Sequence, residues 1–302
     1  LTFFGIFHEH DGTTKPYGQT IPFESVLVRL SSMEISATPT VIAANSTMTA
    51  TITVIVRSIY GDPAANAQVS FTADLGTLSS QSAITDSNGI ATVTLRPSIL
   101  PGIAHVTATW EGMSRSTAVT IAEGAVQVSA SPATIPADST MTSTITARIY
   151  LGGNPVANAQ VGFTTDFGTL LPSSAITNSS GIATVALYPS TEPATANVTA
   201  TWEGLSNSTT VNIVEGAFGV SASPDTTLAS SSMTSTIIAS VYLDGNPFAN
   251  AQVSFTTDLG TLAPSSTTTN SSGIATVTLY PSASPGIANV TATWEGLSQK
   301  TT

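Results

Sequence analysis

The chain of 302 residues contains no cysteine. That excludes disulfide bridges, thiolate chemistry and cysteine-ligated zinc, though it leaves the redox compartment open. Charge is scarce as well: Asp, Glu, Lys and Arg make up 8% of the residues, against roughly 25% in an ordinary soluble protein. Ser, Thr, Asn and Gln must therefore cover the surface. The seven basic residues are scattered and the net charge is -11. Phosphate contacts need clustered Lys and Arg, so no nucleic-acid partner is expected, and an anionic membrane surface is disfavoured on the same ground. No apolar run reaches the ~20 residues that span a bilayer, so no membrane insertion is expected. The chain shows neither an initiator Met nor a signal peptide, which fits a processed or truncated extracellular product.

What the chain does have is repetition. Trp110, Trp202 and Trp294 stand 92 residues apart inside the words HVTATWEGMS, NVTATWEGLS and NVTATWEGLS. The same spacing links Phe71, Phe163 and Phe255, and also Gly89, Gly181 and Gly273. One supersecondary unit is thus written three times. Its boundaries are expected at 33–124, 125–216 and 217–302, after a leader over 1–32.

Each unit reads as short strands. Ala50, Ile52, Val54 and Val56 alternate with Thr49, Thr51, Thr53 and Ile55. Val69, Phe71 and Ala73, then Ala91, Val93 and Leu95, then Val106, Ala108 and Trp110 show the same period of two, and no window holds a helical period. Gly61-Asp62-Pro63, Gly153-Asn154-Pro155, Gly245-Asn246-Pro247 and Ser87-Asn88-Gly89 supply the turns. About seven short strands per unit imply an all-β chain of three tandem immunoglobulin-like Greek-key sandwiches in a rod, with an extended N-terminal segment.

The run TDSNGIATVTL (85–95), its copies at 177–187 and 269–279, and ANAQVSFTADLGTL (65–78) resemble bacterial Ig-like domains of group 1. These are stalk modules of invasin- and intimin-like surface proteins. The resemblance covers residues 33–302. It implies an immunoglobulin-like sandwich in a cell-surface or extracellular protein and carries no catalytic residues. The anchoring barrel and lectin-like tip of the invasins have no counterpart in this sequence, so their receptor binding is not transferred.

Several residues invite a chemical role. His8-Glu9-His10-Asp11 has metal-ligand residue types, but two histidines without a third ligand fit a polar turn better. Asp74, Asp166 and Asp258 recur before Gly-Thr-Leu; with no second acid beside them they are expected to hold turns rather than calcium. Asp86-Ser87-Asn88-Gly89 starts like a calcium loop, yet its copies begin with Asn178 and Asn270, again a turn. Alternation sets the three Trp on the apolar face beside Phe71, Phe163 and Phe255, expected in the core rather than stacked on sugar. His105 is replaced by Asn197 and Asn289, so it is no general base of the module, and no nucleophile–base–acid set can be assembled. The chain is read as no enzyme, without cofactor or metal. Six Asn-x-Ser/Thr sequons, at Asn45, Asn178, Asn197, Asn207, Asn270 and Asn289, suggest N-linked glycans and an extracellular or cell-surface place. Asn197 and Asn289, opposite the Trp face, are expected to point to solvent and accept sugar, which His105 at the same position cannot.

The two ends differ in phase. Repeats one and two close with a strand through Val119 and Val211, whereas Thr302 matches Thr210, so repeat three is expected to lack its last strand. The leader carries a similar segment, with Val26, Leu27, Val28 and Leu30, and five aromatics (Phe3, Phe4, Phe7, Tyr17, Phe23). One reading is a window cut from a longer array. The other, slightly preferred, is donor-strand complementation, in which the leader fills the open sandwich of another copy and builds a homopolymeric filament. The expectation is therefore a self-assembling surface filament or pilus-like subunit; the alternative is an adhesin stalk that presents a binding tip. A carbohydrate-binding module would need exposed aromatic rows, which alternation does not supply.

Overall fold

Alternation at period two becomes burial at period two. Ala50, Ile52, Val54 and Val56 are buried completely, while Thr49 and Thr51 face solvent. The computed structural model describes residues 31–230 and 232–302, and among these every regular element is a strand.

The first domain contains β1 (Ser32–Thr38), β2 (Val41–Ala43), β3 (Ala50–Arg57), β4 (Gln68–Ala73), β5 (Thr77–Leu78), β6 (Ser82–Ile84), β7 (Ile90–Arg96), β8 (Gly102–Trp110) and β9 (Met113–Ala122). One sheet has the order β1-β3-β7-β5 and the other β2-β9-β8-β4-β6. β2 runs parallel to β9, and the other ladders are antiparallel. The chain therefore crosses from the first sheet to the second between β1 and β2. Val69, Phe71, Val93, Leu95, Val106 and Val119 fill the space between the sheets. The second domain repeats the pattern and adds a two-residue strand, Asn154–Pro155, beside Ser143–Leu151.

The third domain differs from expectation. Five residues of its last strand, Leu297–Thr301, are in place and pair with Val290–Trp294. The reason is local: the pairing starts at the Trp294–Leu297 end, across the Glu295-Gly296 turn. A hairpin that closes from its turn needs only its own partner strand, so the first half of the strand forms independently of the rest.

A buried hydroxyl ties each sandwich across a turn. Thr85, Thr177 and Thr269 are each 2% exposed. Thr177 Oγ1 donates to the Val156 carbonyl at 2.7 Å and accepts the Ala159 N–H at 2.8 Å. Thr85 and Thr269 make the same two bonds in their own domains. The neighbouring turn requires glycine. Gly89, Gly181 and Gly273 have φ of +74, +72 and +73, and a Cβ on Gly89 would lie 2.4 Å from the Val56 carbonyl oxygen.

The exposed faces of the β8–β9 hairpin and of its counterpart in the second domain are laced by hydroxyls. Thr107 and Thr109 meet Ser116 and Ser114 at 2.8 and 3.0 Å, and Thr199 meets Ser208 at 2.8 Å.

Replacing Thr177 by Val keeps the shape but strands a buried N–H and a buried carbonyl, each worth about 1–3 kcal/mol when left unpaired. The urea midpoint of Thr177→Val should fall accordingly, and Thr177→Ser should recover most of the loss.

Interdomain joints as the candidate functional site

Trp202 and Trp294 are 4% and 2% exposed, and Trp110 is half-buried. All three stand where their β8–β9-type hairpin turns, at a pole of the sandwich rather than at its middle. The expected position beside phenylalanine holds in register, since Phe163 pairs with Ala200 and Phe255 with Ala292, one alternation step from each Trp. Part of the burial comes from the preceding domain. Ala43 and Met48 of the first domain pack into the cluster that holds Trp202 and Leu205 of the second. Val214 of the second packs onto the core that holds Trp294. Phe218 and Phe248 tilt against Trp294 at centroid distances of 6.2 and 5.8 Å.

Polar contacts fix the register of both joints. The Thr47 N–H donates to the Glu203 carbonyl at 2.8 Å, and Thr47 Oγ1 to Glu203 Oε2 at 3.1 Å. Thr140 repeats this on Glu295 at 2.9 and 3.1 Å. Glu203 and Glu295 reach these positions with φ of +47 and +43, a costly conformation for a residue with a side chain. The Gly152 N–H donates to the Glu123 carbonyl at 2.8 Å, and the Asp244 N–H to the Glu215 carbonyl at 3.1 Å. The linker glycines allow the approach: a Cβ on Gly124 would lie 2.4 Å from Leu205 Cδ1, and one on Gly216 3.0 Å from Pro136 Cβ. The sequence reading missed Thr47, Thr140, Glu203 and Glu295. Their signal is the pairing of one repeated word, Ser-Thr-Met at 46–48 and 139–141, with another, Trp-Glu-Gly.

The recurrent aspartates do hold the fold, but not as local turns. Asp166 Oδ1 accepts the backbone N–H of Asn197 at 2.7 Å and Oδ2 accepts its Nδ2–H at 2.7 Å, 31 residues away. Asp258 clasps Asn289 in the same way at 2.7 and 2.6 Å. Asp74 clasps His105 through the backbone N–H at 2.7 Å and Nδ1 at 2.8 Å. These bonds hold all three carboxyls below the ordinary aspartate range, led by the Asn197 and Asn289 side chains for Asp166 and Asp258 and by the His105 backbone N–H for Asp74. Asp86, Asn178 and Asn270 close turns by accepting the N–H groups two and four residues on.

All six sequon asparagines are solvent-exposed. Asn197 and Asn289 nevertheless commit Nδ2 to an aspartate, and Asn207 Nδ2 donates to the Val126 carbonyl at 2.9 Å. Asn45 lies in the joint loop with φ of +52. His8, His10, Val26, Leu27, Val28 and Leu30 lie outside the described residues. Among the described residues no three His, Cys, Asp or Glu converge as a metal would require, and no helix is long and apolar enough to cross a membrane. An open cleft of about 740 Å³ at the second joint is lined by Thr195, Asn212, Glu215, Asp244, Asn246 and Phe248 among others, a set without a nucleophile–base pair.

The model of the family described as bacterial Ig-like domain (group 1) matches residues 32–122, 125–214 and 217–302. Intimin of Citrobacter freundii is 37% identical over 158 residues, which is 49% of this chain and 17% of that protein. Among solved structures, the D0–D1 domain of intimin is 31% identical, covering 61% of this chain and 98% of that one with a TM-score of 0.31. Invasin, described as a bacterial integrin-binding protein, is 23% identical, with coverages of 89% and 59% and a TM-score of 0.30.

The aspartate clasps make a pH dependence with a definite sign. A carboxyl whose folded pKa is depressed stabilises the fold above its unfolded pKa, and that contribution is lost as pH falls through the folded value. Stability should therefore drop as pH falls from about 3.8, the ordinary aspartate value. Urea midpoints measured between pH 6 and pH 2 should show the fall, and Asp166→Asn with Asp258→Asn should flatten it.

Proposed function

Because the chain belongs to the bacterial Ig-like domain family of group 1, we propose that it works as the stalk of a surface adhesin, holding a binding region away from the cell. It is a cell-surface or extracellular protein, and its family comprises Ig-like domains not known as enzymes. The observation that carries the stalk reading is the joint made twice with the same parts: an indole covered in part by the preceding domain and a threonine bonded twice to a glutamate. A repeated joint sets each domain on the previous one in the same way, as a spacer of defined reach requires.

The filament expected from the phase of the two ends has less behind it. The match to intimin supports a surface stalk rather than donor-strand self-assembly. The chain spans only 17% of the intimin it matches, so the tip and its receptor are part of the proposal.

Small-angle scattering with electron microscopy tests the reading. Extended monomers of constant length are expected across concentrations; native filaments, or compact monomers, would overturn it. Trp202→Ala and Trp294→Ala should each cost about 3–5 kcal/mol of domain stability and broaden the distribution of bend angles. For the glycans, the geometry supports sugar on Asn178 and Asn270, whose bonded atom is Oδ1. Intact-mass measurement of native material should find any added mass on peptides with these two and not on peptides with Asn197 or Asn289.

A further inference from the structure

We infer that the cleft at the second joint is a binding site for a neutral sugar chain. The joint is built twice on one backbone, and its two copies differ on both walls of this cleft. The word YLGGNPVANAQ at 150–160 returns as YLDGNPFANAQ at 242–252, and its two changes, Gly152 to Asp244 and Val156 to Phe248, both fall on the cleft lining. On the facing wall stand Thr134, Thr195 and Asn212. The ladders match them to Val41, Ile103 and Thr120 of the first domain, since Thr134 and Thr195 both pair with Asn212 as Val41 and Ile103 both pair with Thr120. An exposed aliphatic pair at the first joint is thus replaced by hydroxyls and an amide at the second. The threonine–glutamate bonds and the linker glycines are the same at both joints, so holding the domains together does not call for the difference.

Asp244 is the most telling change. It keeps the positive φ of Gly152, +49 against +57, a conformation that glycine takes freely and a side chain resists. Its N–H bond to the Glu215 carbonyl is made equally well by Gly152 to Glu123. The added carboxylate has no protein partner among the described residues, and neither has that of Glu215. The amides beside them are held but not used up. Thr195 Oγ1 donates to Asn212 Oδ1 at 3.2 Å, which leaves Nδ2 to donate, and Asn246 Nδ2 donates to the Asp244 carbonyl at 3.0 Å, which leaves Oδ1 to accept. Half-buried Phe248 tilts on Trp294 at 5.8 Å and gives the rest of its ring to the cleft.

Acceptors, a donor and an aromatic ring suit a pyranose, whose hydroxyls give and take hydrogen bonds and whose C–H face covers a ring. The lining holds no Lys or Arg, so two carboxylates would repel a phosphate, a sulfate or a sialic acid. A cation would need more ligands than two carboxylates supply, and no third acid or imidazole converges with them among the described residues.

The inference goes beyond the stalk reading and does not depend on it, because only the second joint is needed. Its test is titration calorimetry of the 302-residue chain with short oligomers of glucose, mannose and N-acetylglucosamine. A sialylated oligosaccharide and calcium alone serve as contrasts. At least one neutral oligomer should bind at one site per chain, and neither contrast should. Asp244→Gly with Phe248→Val rebuilds a wall the chain already folds at the first joint, where Val156 packs on the core that holds Trp202. This variant should weaken binding by about tenfold or more, the loss expected for one hydrogen bond to a charged group. Thr134→Val with Thr195→Ile should weaken it from the other wall. Asn212→Thr, a change at an exposed position, should do so as well and decides the matter if a double variant does not fold. No binding of any neutral oligomer, binding unchanged in these variants, or equal binding of the sialylated probe would overturn the inference. Calcium bound alone and lost in Asp244→Gly would overturn it too, in favour of a cation site.

Discussion

The joints of this chain depend on an indole that two domains bury together. Trp202 and Trp294 sit at the rim of their sandwiches, where a β-sandwich has two sheet ends and no third layer. An aromatic that large leaves water only when another surface comes down on it. The preceding domain contributes to that surface, through Ala43 and Met48 in one case and Val214 in the other, and on Trp294 the domain's own Phe218 and Phe248 add to it. Domain stability and domain orientation thereby become one quantity. The half-buried Trp110 shows the same side chain where no other described domain covers it.

The linker residues follow from this. A side chain at Gly124 or Gly216 would crowd Ala43 or Pro136 of the preceding domain, whose Cβ atoms would lie 3.0 Å from the added carbon. The positive φ of Glu203 and Glu295 is a local cost accepted where it turns a carbonyl and a carboxylate toward the same threonine. Exposed hydrogen bonds of this sort add little affinity, but they are directional. Apolar contact brings the domains together, and the threonine–glutamate pair sets the angle at which they meet.

Much of this architecture was legible in the sequence, for a physical reason. A period of two imposes one register per strand, so Ile52, Val54, Phe71 and Val106 could be placed in the core from their neighbours alone. Turns at Gly89, Gly181 and Gly273 were readable because only glycine tolerates that backbone. The joints were not legible. Thr47 and Glu203 lie 156 residues apart, and nothing local marks either as a contact. The aspartate clasps escaped for the same reason: Asp166 looks like a turn residue until strand pairing brings Asn197 to it. The indoles were placed on the correct face and in the core with the phenylalanines, but the contacts from the preceding domain were not foreseen, since alternation gives direction and says nothing about which other chain segment waits there. The strand Leu297–Thr301 was overlooked because counting residues to a chain end ignores that hairpins form from the turn outward.

The hydroxyl lacing on the outer hairpin faces has a consequence of its own. Thr107, Thr109 and Thr199 are joined to serines across the strand where most proteins would set Lys against Glu. Dissolved ions screen charge pairs over a few ångströms to tens of ångströms, but they leave neutral hydroxyl pairs untouched. A surface held this way keeps the same cohesion in dilute water and in brine. The scarcity of charge that first marked the sequence is thus a form of indifference to the medium in which the chain is extended.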